Sequence, residues 1–324
     1  MWHFRLFVTV LVLIALTSLA SSERVYGKSP FSVKRDSDGI WFYEGEDAIY
    51  FYQVIHKATA NGTHRRANYI HPLLDLDGNI ITEDFPEDHL HHRGIFWAWH
   101  QVRVNGENIG DNWECKEFNW HVVDPLVTRR TKSVDLLVNV TWSSSLLLDE
   151  DKNPAPIIHE QTRIRLHTTR SMYRVLDFKI QLQAIKPNVS IGGSEDDKGY
   201  GGFSPRLRMP VDPVFTGPSG NVEPQRTAVA AGQWIDIVGQ FGPDDQTSGV
   251  TIITHPDNPG YPEPWILRKS GSMQNAMFPG RHAVPLGKGD EGFTLRYRLV
   301  THRGGTNTAP VSYTHLTLPT ICSV

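Results

Sequence analysis

The sequence predicts an all-β fold, an antiparallel β-sandwich with few or no helices. Apolar and polar residues alternate with a period of two in several runs, as in strands that bury one face. Turn-forming residues separate these runs, and no long run has a helical period. Strands that follow one another without crossover helices favour antiparallel sheets packed face to face.

The strand predictions rest on the same alternation from the first element to the last. In 172–184, Leu176, Phe178 and Ile180 fall on one face, and charged and amide residues fall on the other. Asn105-Gly106 is a strong signal for a tight hairpin. The predicted strands cover 48–56, 97–104, 133–142, 158–167, 172–184, 234–241, 250–254 and 293–300.

The two ends are expected to lie outside the folded domain. Residues 1–20 have the pattern of a signal peptide, with a short basic start, an apolar run and small residues at Ser18 and Ala20. An uncleaved N-terminal anchor is the alternative. Residues 310–324 resemble a translated sequencing adapter, so we expect one domain over 21–309. The predicted location is secreted or periplasmic, without integral membrane association.

Composition narrows the possible partners. The net charge is −3, and no basic stripe occurs, so nucleic acid is not expected as a partner. Of the two cysteines, Cys322 lies in the adapter-like end, which leaves Cys115 without a disulfide partner. We interpret Cys115 as a small buried apolar residue. Oligomeric state is not predicted.

The densest group of chemically active side chains lies between Asp88 and His100. If a strand begins near His91, alternation places His91, Arg93, Trp97 and Trp99 on one face. Indoles stack on sugar rings, and imidazole and guanidinium groups bond hydroxyls or a carboxylate. This face therefore predicts a carbohydrate-binding surface. Two further residues, His71 and His89, are expected at its mouth.

Three interpretations of these histidines remain open. The first is a metal-free site in which His91 or His92 acts as a general acid or base. The second is a divalent-metal site whose third ligand comes from Glu160 or His255. The third is a set of surface and hydrogen-bonding roles. No cofactor is predicted, although a divalent metal fits the second interpretation.

Glu160 lies on the inward face of its predicted strand, beside Ile164 and Leu166. A carboxylate there should face a pocket or the end of a sheet, where burial raises its pKa toward a catalytic range. Glu160 is therefore the second predicted acid–base group. The alternative is a structural ion pair with Arg174.

Two loops carry further candidates for substrate binding. Between Lys198 and Arg206 the chain is rich in glycine, which lets the backbone approach a ligand closely; a plain bulged loop is the alternative. A proline-rich loop follows residue 254 and is expected to be stiff. Its candidate binding residues are His255, Trp265 and Arg268.

Several motifs follow one another along the chain in a defined order. They are His71-Pro72, Gly78 to Thr82, the run from Asp88 to Gly94, Gly201-Gly202-Phe203, the run from His255 to Pro259, Trp265 and the run from Arg296 to Gly304. This order resembles the secreted bacterial PmoA-like family, a domain of unknown function labelled "methane oxygenase PmoA". The closing strand and its lead-in at 285–290 also resemble galactose-mutarotase-like supersandwich domains. The second resemblance implies a supersandwich fold in which carbohydrate binds on a concave sheet face.

We therefore expect a secreted protein that acts on a carbohydrate or another small molecule, as a lyase, epimerase or hydrolase. A non-catalytic glycan-binding module and a metal-dependent oxidoreductase are the alternatives. The expected catalytic residues are His91, His92 and Glu160. The expected substrate-binding residues are His71, His89, Arg93, Trp97, Trp99, Lys198, Arg206, His255, Trp265 and Arg268.

Overall fold

The computed structural model describes residues 23–243 and 246–306. It confirms the all-β prediction, because its only helical element is one 3-10 turn, Gly289–Glu291, among the described residues. None of the helical structure in these residues is long and apolar enough to cross a membrane. The predicted signal peptide at 1–20 and the adapter-like segment at 310–324 lie outside the described residues.

The described chain contains short strands at the sheet edges and long strands at the centre of the largest sheet. The strands are β1 (Glu23–Val25), β2 (Phe31–Arg35), β3 (Gly39–Glu44), β4 (Asp47–Gln53), β5 (Tyr69–Leu73), β6 (Ile95–Trp99), β7 (Gln101–Val104), β8 (Glu107–Asn108), β9 (Asn119–Arg129), β10 (Ser133–Leu148), β11 (Pro154–His167), β12 (Tyr173–Ala184), β13 (Val189–Gly192), β14 (Gly201–Pro205), β15 (Val214–Gly217), β16 (Gly220–Asn221), β17 (Trp234–Gly239), β18 (Ser248–Thr254), β19 (Trp265–Ile266), β20 (Asn275–Met277), β21 (Val284–Leu286) and β22 (Phe293–Arg303).

These strands form three sheets. The ten-stranded sheet has the order β1-β9-β10-β11-β12-β22-β18-β17-β15-β16, and the eight-stranded sheet has the order β19-β20-β14-β6-β5-β4-β3-β2. A four-stranded sheet, β21-β13-β7-β8, lies beside them. The described pairings between strands are antiparallel except for β1 with β9, which is parallel.

The core lies between the ten-stranded and the eight-stranded sheets. Ring contacts join them directly: Trp99 lies 5.8 Å from Trp142, and Phe203 stacks on Tyr297 at 4.5 Å between centroids. The inward residues of β12 and β22 are fully buried, as strand alternation requires. The large aromatic contribution to this core stabilises the face-to-face packing.

The run 97–104 is not one strand. It divides at His100 into β6 and β7, which belong to different sheets. The side chain of Asn112 interrupts the ladder, because its Oδ1 accepts a hydrogen bond from the backbone N–H of Trp99 at 2.5 Å. The predicted hairpin is present, since Asn105 and Gly106 both have left-handed backbone between β7 and β8.

The predicted strand start at His91 is wrong, because β6 begins at Ile95. A turn precedes it, in which the N–H of His92 bonds to the carbonyl of His89. Gly94 then passes so close to the carbonyl of Ile70 that a Cβ would lie 1.9 Å from that oxygen. The alternation from His91 onward therefore does not set the direction of the histidine side chains.

Candidate functional site

The outer face of the eight-stranded sheet carries a second hydrophobic cluster, separate from the main core. Tyr69, Phe96 and Ala98 form its base, and Trp113 and Met273 cover them. Three loops cross this face, over residues 54–68, 74–94 and 109–118. Most of the chemically active side chains of the sequence motif lie in the second of these loops.

We define the histidine cluster as His89, His91 and His92. The rings of His89 and His92 stack at 4.7 Å between centroids, and the ring of His91 meets His92 edge-on at 4.5 Å. His89 is the exposed member, whereas His91 and His92 are almost fully buried. The structure therefore brings together three of the predicted residues in one group.

Arg206 fixes this group in place. Its Nε donates to Glu83 at 2.6 Å, and a terminal nitrogen donates to Asp88 at 2.8 Å. Asp88 in turn lies 2.9 Å from Nδ1 of His89, and the other terminal nitrogen lies 3.4 Å from Nδ1 of His92. A guanidinium can only donate, so Nδ1 of His92 accepts and the proton of its neutral ring is on Nε2.

The buried imidazoles are held in the neutral form. Burial, with smaller contributions from His89 and Arg66, lowers the pKa of His91 to about 3. Burial and then the neighbouring His91 lower the pKa of His92 well below its usual range. A neutral imidazole offers one donor and one acceptor, which matches a hydroxyl group better than it suits proton transfer near pH 7.

Arg93 has a structural position. Its side chain is fully buried over the ring of Phe85 at 3.4 Å, and it donates to the carbonyl oxygens of Leu90, His92 and His64. These bonds join the first and second loops. The guanidinium therefore holds the loops that carry the cluster instead of facing solvent, where a ligand would meet it.

A stack of aromatic rings extends from the cluster. Trp113 meets His92 edge-on at 5.8 Å and stacks on His100 at 5.3 Å and on Tyr200 at 5.6 Å between centroids. Nδ1 of His100 lies 2.9 Å from the carboxylate of Asp111. This contact leaves Nε2 as the basic nitrogen of the His100 ring.

A cavity of about 510 Å³ lies between the first and third loops, and His91 is not part of its lining. Glu114 lines it and lies 3.5 Å from Nε2 of His91. Three lining residues, His64, Cys115 and Glu117, have left-handed backbone with φ of 51°, 58° and 52°. Such backbone is costly for residues other than glycine and concentrates at functional sites.

A second cavity of about 480 Å³ adjoins Tyr200, at the other end of the ring stack. Two predicted residues, Lys198 and Arg268, line it, so the glycine-rich and proline-rich loops do meet. The full lining is Lys198, Tyr200, Pro224, Gln225, Arg226, Leu267, Arg268 and Lys269.

Glu160 does not reach either cavity. It is fully buried in the core, where its carboxylate accepts bonds from Asn68, Trp97 and Thr162 on one oxygen and from Trp142 on the other. Burial raises its pKa, against the effect of these four donors. The alternative ion pair is also wrong, because Arg174 instead bonds to Thr169 and to carbonyl groups of 74–75.

The remaining predicted residues lie away from the cluster. Trp97, Trp99 and Trp265 are buried in the main core, so they present no stacking surface to solvent. His71 bonds to Thr82 at 3.0 Å, and burial lowers its pKa to about 4. The electrostatic neighbours of His255 are Asp257, Arg296, Arg298 and Asp177, which places it by the outer face of the ten-stranded sheet.

The structure thus does not assemble the metal-ligand set considered above, in which Glu160 or His255 completes the histidine pair. Across residues 23–243 and 246–306, no group of three or more His, Cys, Asp or Glu side chains is arranged to hold a metal ion.

A family of unknown function, DUF6807, matches residues 43–313. The chain belongs to this family. No curated protein matches the chain. The DUF6807 description names no activity, so the resemblance to PmoA-like and mutarotase-like proteins keeps the status of a prediction.

Sequence reasoning missed several residues of this DUF6807 site. Asp111, Trp113 and Glu114 come from a short polar loop directly after the hairpin, and Glu83 pairs with Arg206. The only local feature that indicated this loop is the position of Trp113 between Asp111 and Glu114, shortly after the predicted hairpin. Tyr200 was included in the glycine-rich run but not singled out.

Proposed function

We propose that this protein binds a carbohydrate with the histidine cluster and with Tyr200, which Trp113 connects to the cluster. The observation that carries the proposal is a group of three packed imidazoles, anchored by Arg206, two of which burial holds in the neutral form. Trp113 joins this group to the half-buried ring of Tyr200. Neutral imidazoles suit the hydroxyl groups of a sugar, and an aromatic ring suits its apolar face. The residues that support this binding are His89, His91, His92 and Tyr200.

Binding is favoured over the expected chemistry with Glu160. The buried position of that carboxylate removes the second group of the predicted acid–base pair. The low pKa of His91 also makes it a weak base at neutral pH. Between the two expectations for a carbohydrate protein, these observations favour the binding module.

A titration of purified protein with monosaccharides and oligosaccharides, followed by calorimetry, tests the proposal. His89→Ala should weaken binding about tenfold or more, because a lost hydrogen bond to a ligand in a preorganised site costs about 1.5 kcal/mol. His121→Ala is the matched control, since His121 is an exposed histidine on β9 of the other sheet. Equal affinity of both variants, or no sugar bound by the native protein, would contradict the proposal.

One observation favours a catalytic alternative. Asp111 orients His100, and Nε2 of His100 is buried without a hydrogen-bond partner among the described residues, so a substrate could reach it only if the ring stack opened. Such a carboxylate–imidazole pair can take up a proton from a bound substrate. A screen of oligosaccharides with product detection by mass tests it: Asp111→Asn should lower kcat and change its pH profile while binding persists.

We also propose export, on the strength of residues 1–20. Fusing these residues to a reporter that is active only outside the cytoplasm tests this step. Reporter activity that persists after Leu11 and Leu13 are both replaced by Arg would count against a signal peptide.

A further inference from the structure

The cavity beside Tyr200 carries an unusual concentration of positive charge. Four cationic side chains line it: Lys198, Arg226, Arg268 and Lys269. Three of them have carboxylate partners, since Lys198 lies 3.4 Å from Asp196, Lys269 lies 2.7 Å from Glu223, and Arg226 pairs with Asp197. Among the residues that the structure describes, no carboxylate pairs with Arg268, so its positive charge in the cavity is uncompensated by them.

Within residues 23–243 and 246–306, the guanidinium of Arg268 bonds only to backbone carbonyl groups. Its terminal nitrogens donate to the carbonyl oxygens of Gln225, Arg226 and Leu267 at 2.8–2.9 Å. A guanidinium has five N–H hydrogens, so these three bonds leave two donors for a ligand. Because the side chain is already ordered, an incoming anion would not have to immobilise it.

The three carboxylate partners are weak competitors for a ligand. About half or more of the side chain is exposed in Asp196, Asp197 and Glu223. Exposed ion pairs of this kind contribute little, typically below about 1 kcal/mol, and are screened by salt. A ligand carboxylate can therefore exchange with them at small cost.

The same cavity also has an apolar and aromatic wall. Lys198 lies 5.2 Å above the ring of Tyr200, and Pro224 and Leu267 complete the wall. Through Trp113, two ring contacts of less than 6 Å join Tyr200 to His92. The cationic cavity and the histidine cluster are thus joined by the ring of Trp113, which is itself buried between them.

We infer that this cavity binds the carboxylate group of an acidic sugar, with Arg268 as its principal partner. The inference rests on the proposed carbohydrate function and specifies its substrate class. Arg93 and Arg206, the other arginines considered for this role, use their donors within the protein. Arg268 is the arginine of the predicted set with donors free to meet a ligand.

Calorimetric titrations with D-glucuronate, D-glucose and inorganic phosphate test the inference. The native protein should bind glucuronate about tenfold more tightly than glucose, and added salt should weaken only glucuronate binding. Arg268→Gln should abolish this preference by weakening glucuronate binding about tenfold. Arg170→Gln, which removes an exposed arginine in the turn after β11, is the charge-matched control.

Because Arg268 also joins two loops, Lys198→Gln provides a second variant that leaves those backbone contacts intact. It should lower the affinity for glucuronate severalfold. Phosphate bound as tightly as glucuronate would identify a general anion site and overturn the inference.

The outcomes separate the two proposals. Glucose binding that depends on His89, with no preference for glucuronate, overturns this inference and leaves the proposed function standing. Glucuronate binding that depends on Arg268 but not on His89 supports the cavity and overturns the proposed role of the histidine cluster. Absence of binding for both sugars overturns both.

Discussion

Replacing Glu160 by glutamine distinguishes a structural carboxylate from a catalytic one. Four donors surround this side chain at 2.6–2.9 Å, and its residue is fully buried. Glutamine keeps one carbonyl oxygen, which can face Asn68, Trp97 and Thr162. Its amide group must then face the indole N–H of Trp142, so two donors oppose each other.

The magnitude follows from that mismatch. Each buried donor left without an acceptor costs about 1–3 kcal/mol. Removing a buried negative charge returns part of this cost, because burial raises the pKa of Glu160 and so disfavours its charged form. We expect Glu160→Gln to lower the free energy of unfolding by about 2 kcal/mol. Glu160→Ala leaves all four donors unmatched and should cost more.

Urea denaturation gives the free energy of unfolding, and calorimetry gives the sugar affinity of the folded fraction. Glu150→Gln is the control, since Glu150 is an exposed carboxylate in the turn between β10 and β11, and it should change stability by less than about 0.5 kcal/mol. Glu160→Gln should leave the sugar affinity unchanged. A Glu160→Gln variant with native-like stability that no longer turns over a sugar would refute the structural role of Glu160 and support the catalytic role.

Three further predictions concern the site. Burial lowers the pKa of His91 to about 3 in the folded protein, below its value of about 6.5 in the unfolded chain. As the pH falls below about 6.5, the unfolded chain binds a proton at His91 before the folded protein does, so the free energy of unfolding decreases. His91→Gln should remove up to about 1.4 kcal/mol per pH unit from the acid slope in urea titrations between about pH 6.5 and pH 4, and an unchanged slope would contradict the assignment. Arg206→Lys keeps the positive charge but removes the planar guanidinium that bonds to two carboxylates at once. We therefore expect the free energy of unfolding in urea to fall by about 1–2 kcal/mol and the sugar affinity to weaken. Arg103→Lys, in the exposed ion pair with Glu195, should change neither the stability nor the sugar affinity. Equal effects of Arg103→Lys and Arg206→Lys would contradict the role of the Arg206 hydrogen bonds. Tyr200→Leu should lower the sugar affinity about tenfold with little change in melting temperature. Trp97→Leu should lower the free energy of unfolding by about 3 kcal/mol and leave the sugar affinity of the folded fraction unchanged. The reverse pattern would mean that the buried tryptophans, and not Tyr200, bind the sugar.

The long central strands could be predicted from local sequence. In β12, every second residue is buried and its neighbours are half-buried, so the alternation of the sequence matches the structure directly. In β22 the alternation holds only over its first residues, because Tyr297 to His302 are all buried. The hairpin at Asn105-Gly106 could be predicted for the same reason, because those two residues tolerate the left-handed backbone that the turn requires.

The break between β6 and β7 could not be predicted locally. It depends on Asn112, whose side chain takes the place of a strand neighbour for Trp99. The start of β6 likewise depends on the close approach of Gly94 to Ile70 in the next strand. Partners of this kind come from elsewhere in the fold, and alternation within 91–104 contains no trace of them.

The candidate site was predicted in part. The sequence identified His89, His91, His92 and Arg206, because a dense polar run is rarely needed for packing. Alternation also put Glu160 correctly on an inward face. Its role could not be read from the sequence, since three of its four donors are separated from it by 18 to 92 residues.

The most direct test of the central claim is the response of the histidine side chains to a sugar. Imidazole nitrogen resonances, assigned with single variants, can be followed by NMR while D-glucose or D-glucuronate is added. We expect the resonances of His89, His91 and His92 to shift together and to saturate with the calorimetric affinity, while those of His121 and His255 stay unchanged. Shifts confined to His255, or none at saturating sugar, would contradict it.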